Sequence, residues 1–184
     1  MTLLRREALV LIGAALAGGA RAQGTKATAF AFETPEGAPM PLAGFDGRPI
    51  LVVNTATACG YAGQLGGLQA LWTRFRDRGL AVIGVPSADF GNQEPLDGPA
   101  IAEAARRNHG VTFPLTAKTR VRMPNAHPFY AWAAAEKPGE TPRWNFHKYL
   151  VARDGSLAAA FATQVEPTDP RVIAGIAAAL DRPA

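Results

Sequence analysis

The sequence contains a single cysteine, Cys59, in a chain of 184 residues. An apolar run at 49–54 predicts a buried strand before it, and the spacing at 63–78 predicts an amphipathic helix after it. Cys59 is therefore expected near a helix N-terminus, where unpaired amide N–H groups stabilise an anion and favour the reactive thiolate. The alternative is a buried cysteine that acts only as a small hydrophobic residue.

Three further polar side chains are expected close to this cysteine. A second apolar run at 80–85 predicts a strand parallel to the first, and Gln93 lies in the loop after it. Trp144 and Asn145 begin a third predicted strand, which starts at the same edge of the sheet if it is antiparallel to the others. Because sites form at the carboxyl ends of parallel strands, these segments should converge on Cys59. Packing, capping or solvation are the alternative roles of the three side chains.

The four side chains together suit one kind of reaction. Neutral amide and indole N–H donors stabilise a thiolate without neutralising it, and they can hydrogen-bond a polar leaving oxygen. A thiolate held against an O–O bond is oxidised to a sulfenic acid. No histidine is expected to face the thiol, so a Cys-His hydrolase is not favoured. With one cysteine, the chain has no internal disulfide, no C-x-x-C pair and no thiolate-rich zinc site.

The remaining pattern predicts an α/β fold, a thioredoxin-like three-layer α/β/α sandwich with a mixed central sheet. A short hairpin comes first, at 29–33 and 40–42, and the strand–helix–strand unit around Cys59 follows. Later helices and strands are expected at 99–108, 125–135, 144–151, 157–162 and from Asp169 onward.

The first 22 residues are typical of an export signal. Arg5 and Arg6 precede a short apolar core, and Ala20-Arg21-Ala22 has the small-x-small pattern of a cleavage site. The paired arginines also fit a twin-arginine signal. The apolar run is about ten residues, shorter than the ~20 of a spanning helix. We therefore expect a single domain at 23–184, exported to the periplasm or another extracytoplasmic compartment, without a stable membrane span.

Composition narrows the possible classes of protein. The formal net charge is +4 and part of it belongs to the N-terminal segment, which is too little to indicate nucleic-acid binding. Hydrophobic residues make up 48% of the chain and charged residues 18%, so the chain can bury a core and is not a disordered polymer. No metal or organic cofactor is implied.

Five motifs of the chain resemble the glutathione peroxidase family in order and spacing. They are Val53–Tyr61, Phe90–Pro95, Val111–Leu115, Pro124–Pro128 and Trp144–Val151. The resemblance covers nearly all of residues 28–180. It implies a thioredoxin-like fold and the reduction of a hydroperoxide substrate, with glutathione or another thiol as the reducing co-substrate. Cys59 matches the peroxidatic residue of the family. The residues that surround it in the family match Gln93, Trp144 and Asn145.

Two departures from the family pattern affect the implied mechanism. Many cysteine-type members carry a resolving cysteine in the helix region that here is Ile101–Asn108, and this chain has none. Oxidised Cys59 is therefore expected to be reduced by an external thiol or thiol protein. The segment between Tyr130 and Trp144 lacks the longer insertion of tetrameric members. This implies a monomer with an open site that admits organic and lipid hydroperoxides.

Three other classes of protein stay open at this point. A peroxiredoxin uses the same chemistry but has Thr three residues before its cysteine, where this chain has Ala56. An exported thiol-disulfide oxidoreductase needs a second cysteine. An exported thiol sensor, or a non-catalytic protein with a thioredoxin-like fold, is compatible with the missing resolving cysteine.

Overall fold

The computed structural model describes residues 24–183 and contains six strands and four α-helices in that range. The strands are β1 (Ala31–Glu33), β2 (Pro39–Pro41), β3 (Ile50–Thr55), β4 (Ala81–Pro86), β5 (Lys148–Val151) and β6 (Leu157–Phe161). The helices are α1 (Gln64–Phe75), α2 (Pro99–His109), α3 (Pro128–Glu136) and α4 (Pro170–Asp181). The predicted export signal at 1–22 lies outside the described residues.

The central sheet has the strand order β4-β3-β5-β6. Strands β3 and β4 are parallel, whereas β5 runs antiparallel to both of its neighbours. The sheet is therefore mixed, as predicted. The predicted hairpin is also present, since β1 and β2 pair antiparallel in a separate two-stranded sheet. No helix in residues 24–183 has the length and apolar character needed to cross a membrane.

Helices cover both faces of the sheet and create two hydrophobic cores. Helices α1, α2 and α4 pack on one face and α3 on the other. Strand β3 is buried along its whole length, because Leu51 and Val53 belong to the first core and Ile50 and Val52 to the second. This arrangement confirms the three-layer sandwich and explains the unbroken apolar run of β3.

The prediction that the third strand of the site begins at Trp144 is wrong, because β5 begins only at Lys148. Phe146 has φ +65°, a left-handed conformation that interrupts an extended strand. Trp144 and Asn145 consequently lie in a loop that leads into β5. The pattern of side-chain types could not reveal that the strand starts later, because the later start depends on the backbone dihedral angle of a single residue.

The third helix also starts later than predicted, at Pro128 instead of Asn125. Proline at the first helical position needs no hydrogen bond for its missing N–H. His127 is the cap, and its Nδ1 accepts the Phe129 N–H at 3.2 Å. This contact gives His127 a structural role at the start of the helix.

Candidate active site

Cys59 lies in a turn between the carboxyl end of β3 and the first residue of α1. The Ala62 N–H donates to the Cys59 carbonyl at 2.9 Å, which closes the turn before the helix. The thiol is buried, with 6% of the residue exposed, and Sγ accepts the Tyr61 N–H at 3.4 Å. An amide N–H therefore does point at the sulfur, although it belongs to the turn and not to the helix itself.

The loop after β4 lies directly against the cysteine turn. The Ala58 N–H, one residue before Cys59, donates to the Gln93 carbonyl at 3.0 Å. The carboxylate of Glu94 accepts both the Thr57 N–H at 2.9 Å and the Thr57 hydroxyl at 2.7 Å. Glu94 is only 1% exposed. Two consecutive loop residues thus hold the segment that carries the thiol.

Gln93 and Asn145 form a hydrogen-bonded amide pair. Asn145 Nδ2 donates to Gln93 Oε1 at 3.0 Å, and the Asn145 side chain is fully buried. Because the oxygen of the Gln93 amide is engaged, its NH₂ group is the end left to donate elsewhere. Asn145 Oδ1 is buried and has no partner among residues 24–183.

Trp144 lies at the rim of this group. Its indole ring packs against Phe90 with the ring centroids 5.8 Å apart, and 38% of the residue is exposed. Gly91 has φ +65°, and a Cβ built there would lie 3.5 Å from both the Trp144 ring and Gln93 Cγ. The Cβ would make only ordinary van der Waals contact, so the left-handed backbone, which glycine adopts without strain, is the reason for glycine here.

The structure therefore brings the three loops together. Gln93 and Asn145 are in direct contact, Trp144 adjoins Asn145 in the chain, and Cys59 is joined to Gln93 through its neighbour Ala58. The catalytic roles of these four residues stay predictions. Sequence reasoning missed the buried polar residues that support them, namely Asn54, Glu94, Lys148 and Thr163. Several occur in the family motifs, but no local pattern showed what they bind.

A cavity of about 530 Å³ opens beside Trp144. Its lining includes two charged side chains and several polar ones, among them Glu140, Arg143, His147, Thr163 and Gln164. The Nε2 atom of His147 is buried there without a hydrogen-bond partner in the described part of the chain. This volume lies in the range of small-molecule sites.

Burial perturbs two titratable groups next to the site. Removal from water lowers the pKa of His147 to about 4, nearby Lys148 lowers it further, and a hydrogen bond with the Glu140 backbone opposes the shift. Burial likewise lowers the pKa of Lys148 to about 8, against the attraction of Glu166. His147 is consequently neutral at neutral pH.

We expect the stability of the protein to fall in acid because of His147. The unfolded chain takes up a proton near the ordinary histidine pKa of 6.5, whereas the folded protein resists protonation down to about 4. Protonation of this histidine therefore leaves the unfolding free energy unchanged above about pH 6.5 and lowers it as the pH falls below that value. The expected contribution to the loss in unfolding free energy between about pH 7 and about pH 5 is about 2 kcal/mol.

Urea unfolding at both pH values measures this effect. The variant His147→Gln should show a correspondingly smaller loss, and His109→Gln, away from the site, should behave like the wild type. Equal losses in wild type and His147→Gln would contradict the prediction.

A free thiol beside a hydrogen-bonded pair of amides, on a thioredoxin-like fold, is an arrangement that suits a thiol peroxidase. The chain belongs to the glutathione peroxidase family, since the family model for glutathione peroxidase matches residues 28–134. The chain is thus an oxidoreductase, a thiol-dependent peroxidase that uses a thiol co-substrate without a prosthetic group. No group of three or more His, Cys, Asp or Glu side chains that could hold a metal ion occurs in residues 24–183.

Curated relatives agree with this assignment. A hydroperoxy fatty acid reductase of Synechocystis is 40% identical over 149 residues, which cover 76% of this chain and 88% of the relative. A glutathione peroxidase-like peroxiredoxin of Schizosaccharomyces pombe is 39% identical over 135 residues, with coverages of 72% and 85%. A glutathione peroxidase homolog of Staphylococcus aureus is 38% identical over 141 residues, with coverages of 75% and 89%.

Solved structures support the fold. The crystal structure of Trgpx in its apo form has a TM-score of 0.71 and 30% identity, and the match covers 88% of this chain and 99% of that one. A thioredoxin-family thiol:disulfide interchange protein from Chlorobium tepidum has a TM-score of 0.61 at 17% identity, covering 88% and 99%. The second likeness shows the thioredoxin-like fold alone.

Proposed function

We propose that this chain reduces hydroperoxides through a one-cysteine cycle at Cys59. The thiolate attacks the distal oxygen of ROOH, the O–O bond breaks, and Cys59 becomes a sulfenic acid while the alkoxide takes a proton and leaves as ROH. The amide NH₂ of Gln93, the indole N–H of Trp144 and the amide of Asn145 stabilise the thiolate and the leaving oxygen. The hydrogen-bonded amide pair between the thiol turn and Trp144, in which Asn145 is buried and Gln93 is half-buried, supports these roles.

The reducing half of the cycle requires two external thiols. The first thiol condenses with the sulfenic acid to a mixed disulfide and releases water. The second attacks that disulfide, restores the Cys59 thiol and leaves with the first as an external disulfide. The single observation that carries this proposal is that Cys59 is the only cysteine of the sequence, so no internal thiol can resolve it.

The hydroperoxide class includes bulky organic and lipid hydroperoxides as well as hydrogen peroxide. Trp144 is partly exposed at the rim of the site, and the segment between Tyr130 and Trp144 is short, which supports an open site. The name of the Synechocystis relative states that it reduces hydroperoxy fatty acids. A strong preference for hydrogen peroxide over large hydroperoxides would count against an open site.

The test is steady-state peroxide reduction by the purified chain from residue 23, with glutathione and separately with a thioredoxin system. We expect sustained turnover with one of these reductants, and mass spectrometry should show a mixed disulfide on Cys59 during turnover. The linear phase must exceed one equivalent of peroxide per protein, because only repeated reduction of Cys59 distinguishes an enzyme from a stoichiometric thiol.

The second candidate is an exported thiol sensor that is oxidised once and then passes the signal on. The missing resolving cysteine favours it, because a protein partner could supply the second thiol. A single equivalent of peroxide consumed under both reductants would support this candidate and contradict the enzyme.

Export and a monomeric state complete the proposal. The twin arginines, apolar core and cleavage pattern of residues 1–22 support export to the periplasm. N-terminal sequencing of the secreted protein should start near residue 23, and an uncleaved cytoplasmic product would contradict export.

The absence of the insertion between Tyr130 and Trp144 supports a monomer, which sedimentation of the mature chain tests.

A further inference from the structure

Hydrogen bonds to four consecutive backbone carbonyls, those of residues 144–147, hold the loop that carries Trp144 and Asn145. The Trp144 carbonyl accepts a hydrogen bond from Asn54 Nδ2 at 3.1 Å, and the Asn145 carbonyl accepts one from the Thr163 hydroxyl at 2.8 Å. The Phe146 carbonyl accepts one from Lys148 Nζ at 2.7 Å. The next carbonyl, that of His147, accepts the Asn54 backbone N–H at 3.2 Å.

Three of these four donors are buried side chains from separate segments of the chain. Asn54 lies on β3, Lys148 on β5, and Thr163 follows β6. Asn54 and Lys148 are fully buried and Thr163 is 4% exposed. Buried polar side chains destabilise a protein unless they are hydrogen-bonded, so each donor is committed to its carbonyl. We call Asn54, Lys148 and Thr163 the carbonyl clamp.

The loop needs such support because of its backbone conformation. Phe146 has φ +65°, which an L side chain adopts only with strain, and the two carbonyls beside this dihedral are those that Thr163 and Lys148 bind. The strain therefore persists because both neighbouring peptide groups are held. Without these bonds the loop could relax toward an extended strand, and the Asn145 side chain would turn with it.

The orientation of Asn145 in turn determines which end of the Gln93 amide is free. Asn145 Nδ2 occupies Gln93 Oε1 at 3.0 Å, so Gln93 presents its NH₂ group. If Asn145 turned away, the Gln93 amide could rotate and present its oxygen instead. An oxygen would repel a thiolate, whereas an NH₂ group stabilises it.

We propose that Asn54, Lys148 and Thr163 are positioning residues that fix Asn145 and, through it, the Gln93 amide for the reaction at Cys59. The inference rests on the proposed function, because Cys59 must be the reacting thiol. None of the three residues needs to touch the substrate.

Thr163 offers the sharpest test, because two substitutions separate its hydroxyl from its shape. Thr163→Val keeps the volume and removes the donor, and Thr163→Ser keeps the donor. We expect the second-order rate of Cys59 oxidation by hydrogen peroxide to fall about tenfold in Thr163→Val and to stay within about twofold in Thr163→Ser. The KM for the reducing thiol should not change in either variant. Thr168→Val, at an exposed position, is the matched control.

The pH profile of Cys59 oxidation distinguishes positioning from a structural role. In Thr163→Val the profile should move to higher pH, because the thiolate has lost a well-placed donor. A lower melting temperature with an unchanged oxidation rate and pH profile would overturn the proposal. Lys148→Met gives a second, independent variant that should show the same two effects.

A readout without peroxide separates this inference from the proposed function. The side-chain amide NMR signals of Gln93 and Asn145 should shift or broaden in Thr163→Val and remain in Thr163→Ser. If wild-type Cys59 is not oxidised at all, the proposed function fails, but these signals still decide whether the clamp holds the amide pair. Unchanged signals in Thr163→Val would overturn the clamp even in an active enzyme.

Discussion

Cys59→Ser should abolish peroxide reduction and leave the fold intact. Serine keeps the shape of the side chain, and its hydroxyl can still accept the Tyr61 N–H. A hydroxyl is scarcely ionised at neutral pH and cannot form a sulfenic acid, so the attack on the O–O bond is lost. We expect turnover to fall at least about a thousandfold, to the rate of the thiol reductant alone.

The measurement is peroxide consumption in the presence of glutathione, together with a thermal melt of both proteins. The cost in stability should be only about 1 kcal/mol, because a small polar group replaces a thiol in a site that supplies one donor. Ala62→Ser adds a hydroxyl in the same turn and keeps the thiol, so it should remain active. If Cys59→Ser retained more than a small fraction of turnover, the thiol could not be the reacting group.

Glu94→Ala should destabilise the protein and slow the oxidation of Cys59. The buried carboxylate accepts the Thr57 N–H, the Thr57 hydroxyl and, at 3.3 Å, the Leu96 N–H. Truncation removes all three hydrogen bonds and leaves two N–H groups unpaired in a largely buried site. Because hydrogen bonds to a charged group contribute about 1.5–3 kcal/mol each and do not add fully, we expect a loss of roughly 3–5 kcal/mol in unfolding free energy.

Urea unfolding and stopped-flow oxidation by hydrogen peroxide test both effects. The oxidation rate should fall about tenfold, since the Thr57 segment leads directly to Cys59. Glu94→Gln keeps the volume and one acceptor oxygen, so its losses should be less than half as large. Glu103→Ala, at an exposed ion pair with Arg106, is a control that should change stability by less than about 1 kcal/mol. A similarly small effect in Glu94→Ala would show that the Ala58–Gln93 backbone bond is sufficient to hold the turn.

The cysteine turn and its neighbouring strands could be predicted because their signals are local. The apolar runs that became β3 and β4 and the helical spacing that became α1 depend only on residues close in sequence. Their order placed Cys59 at the correct edge of the sheet. The start of β5 was predicted four residues too early, because the pattern of side chains does not indicate the positive φ of Phe146.

The sequence by itself determined the fold class, the family and the presence of one free thiol. Periodicity and motif spacing are properties of the chain order, and a sequence with a single cysteine has no second thiol that could resolve it internally. Only the tertiary structure decided how the amides around that thiol are held. Asn54 lies 90 positions before the Trp144 carbonyl that it binds, and Gln93 lies 52 positions before Asn145. Hydrogen bonds between such distant residues form when the strands are paired, so no local pattern could have revealed them.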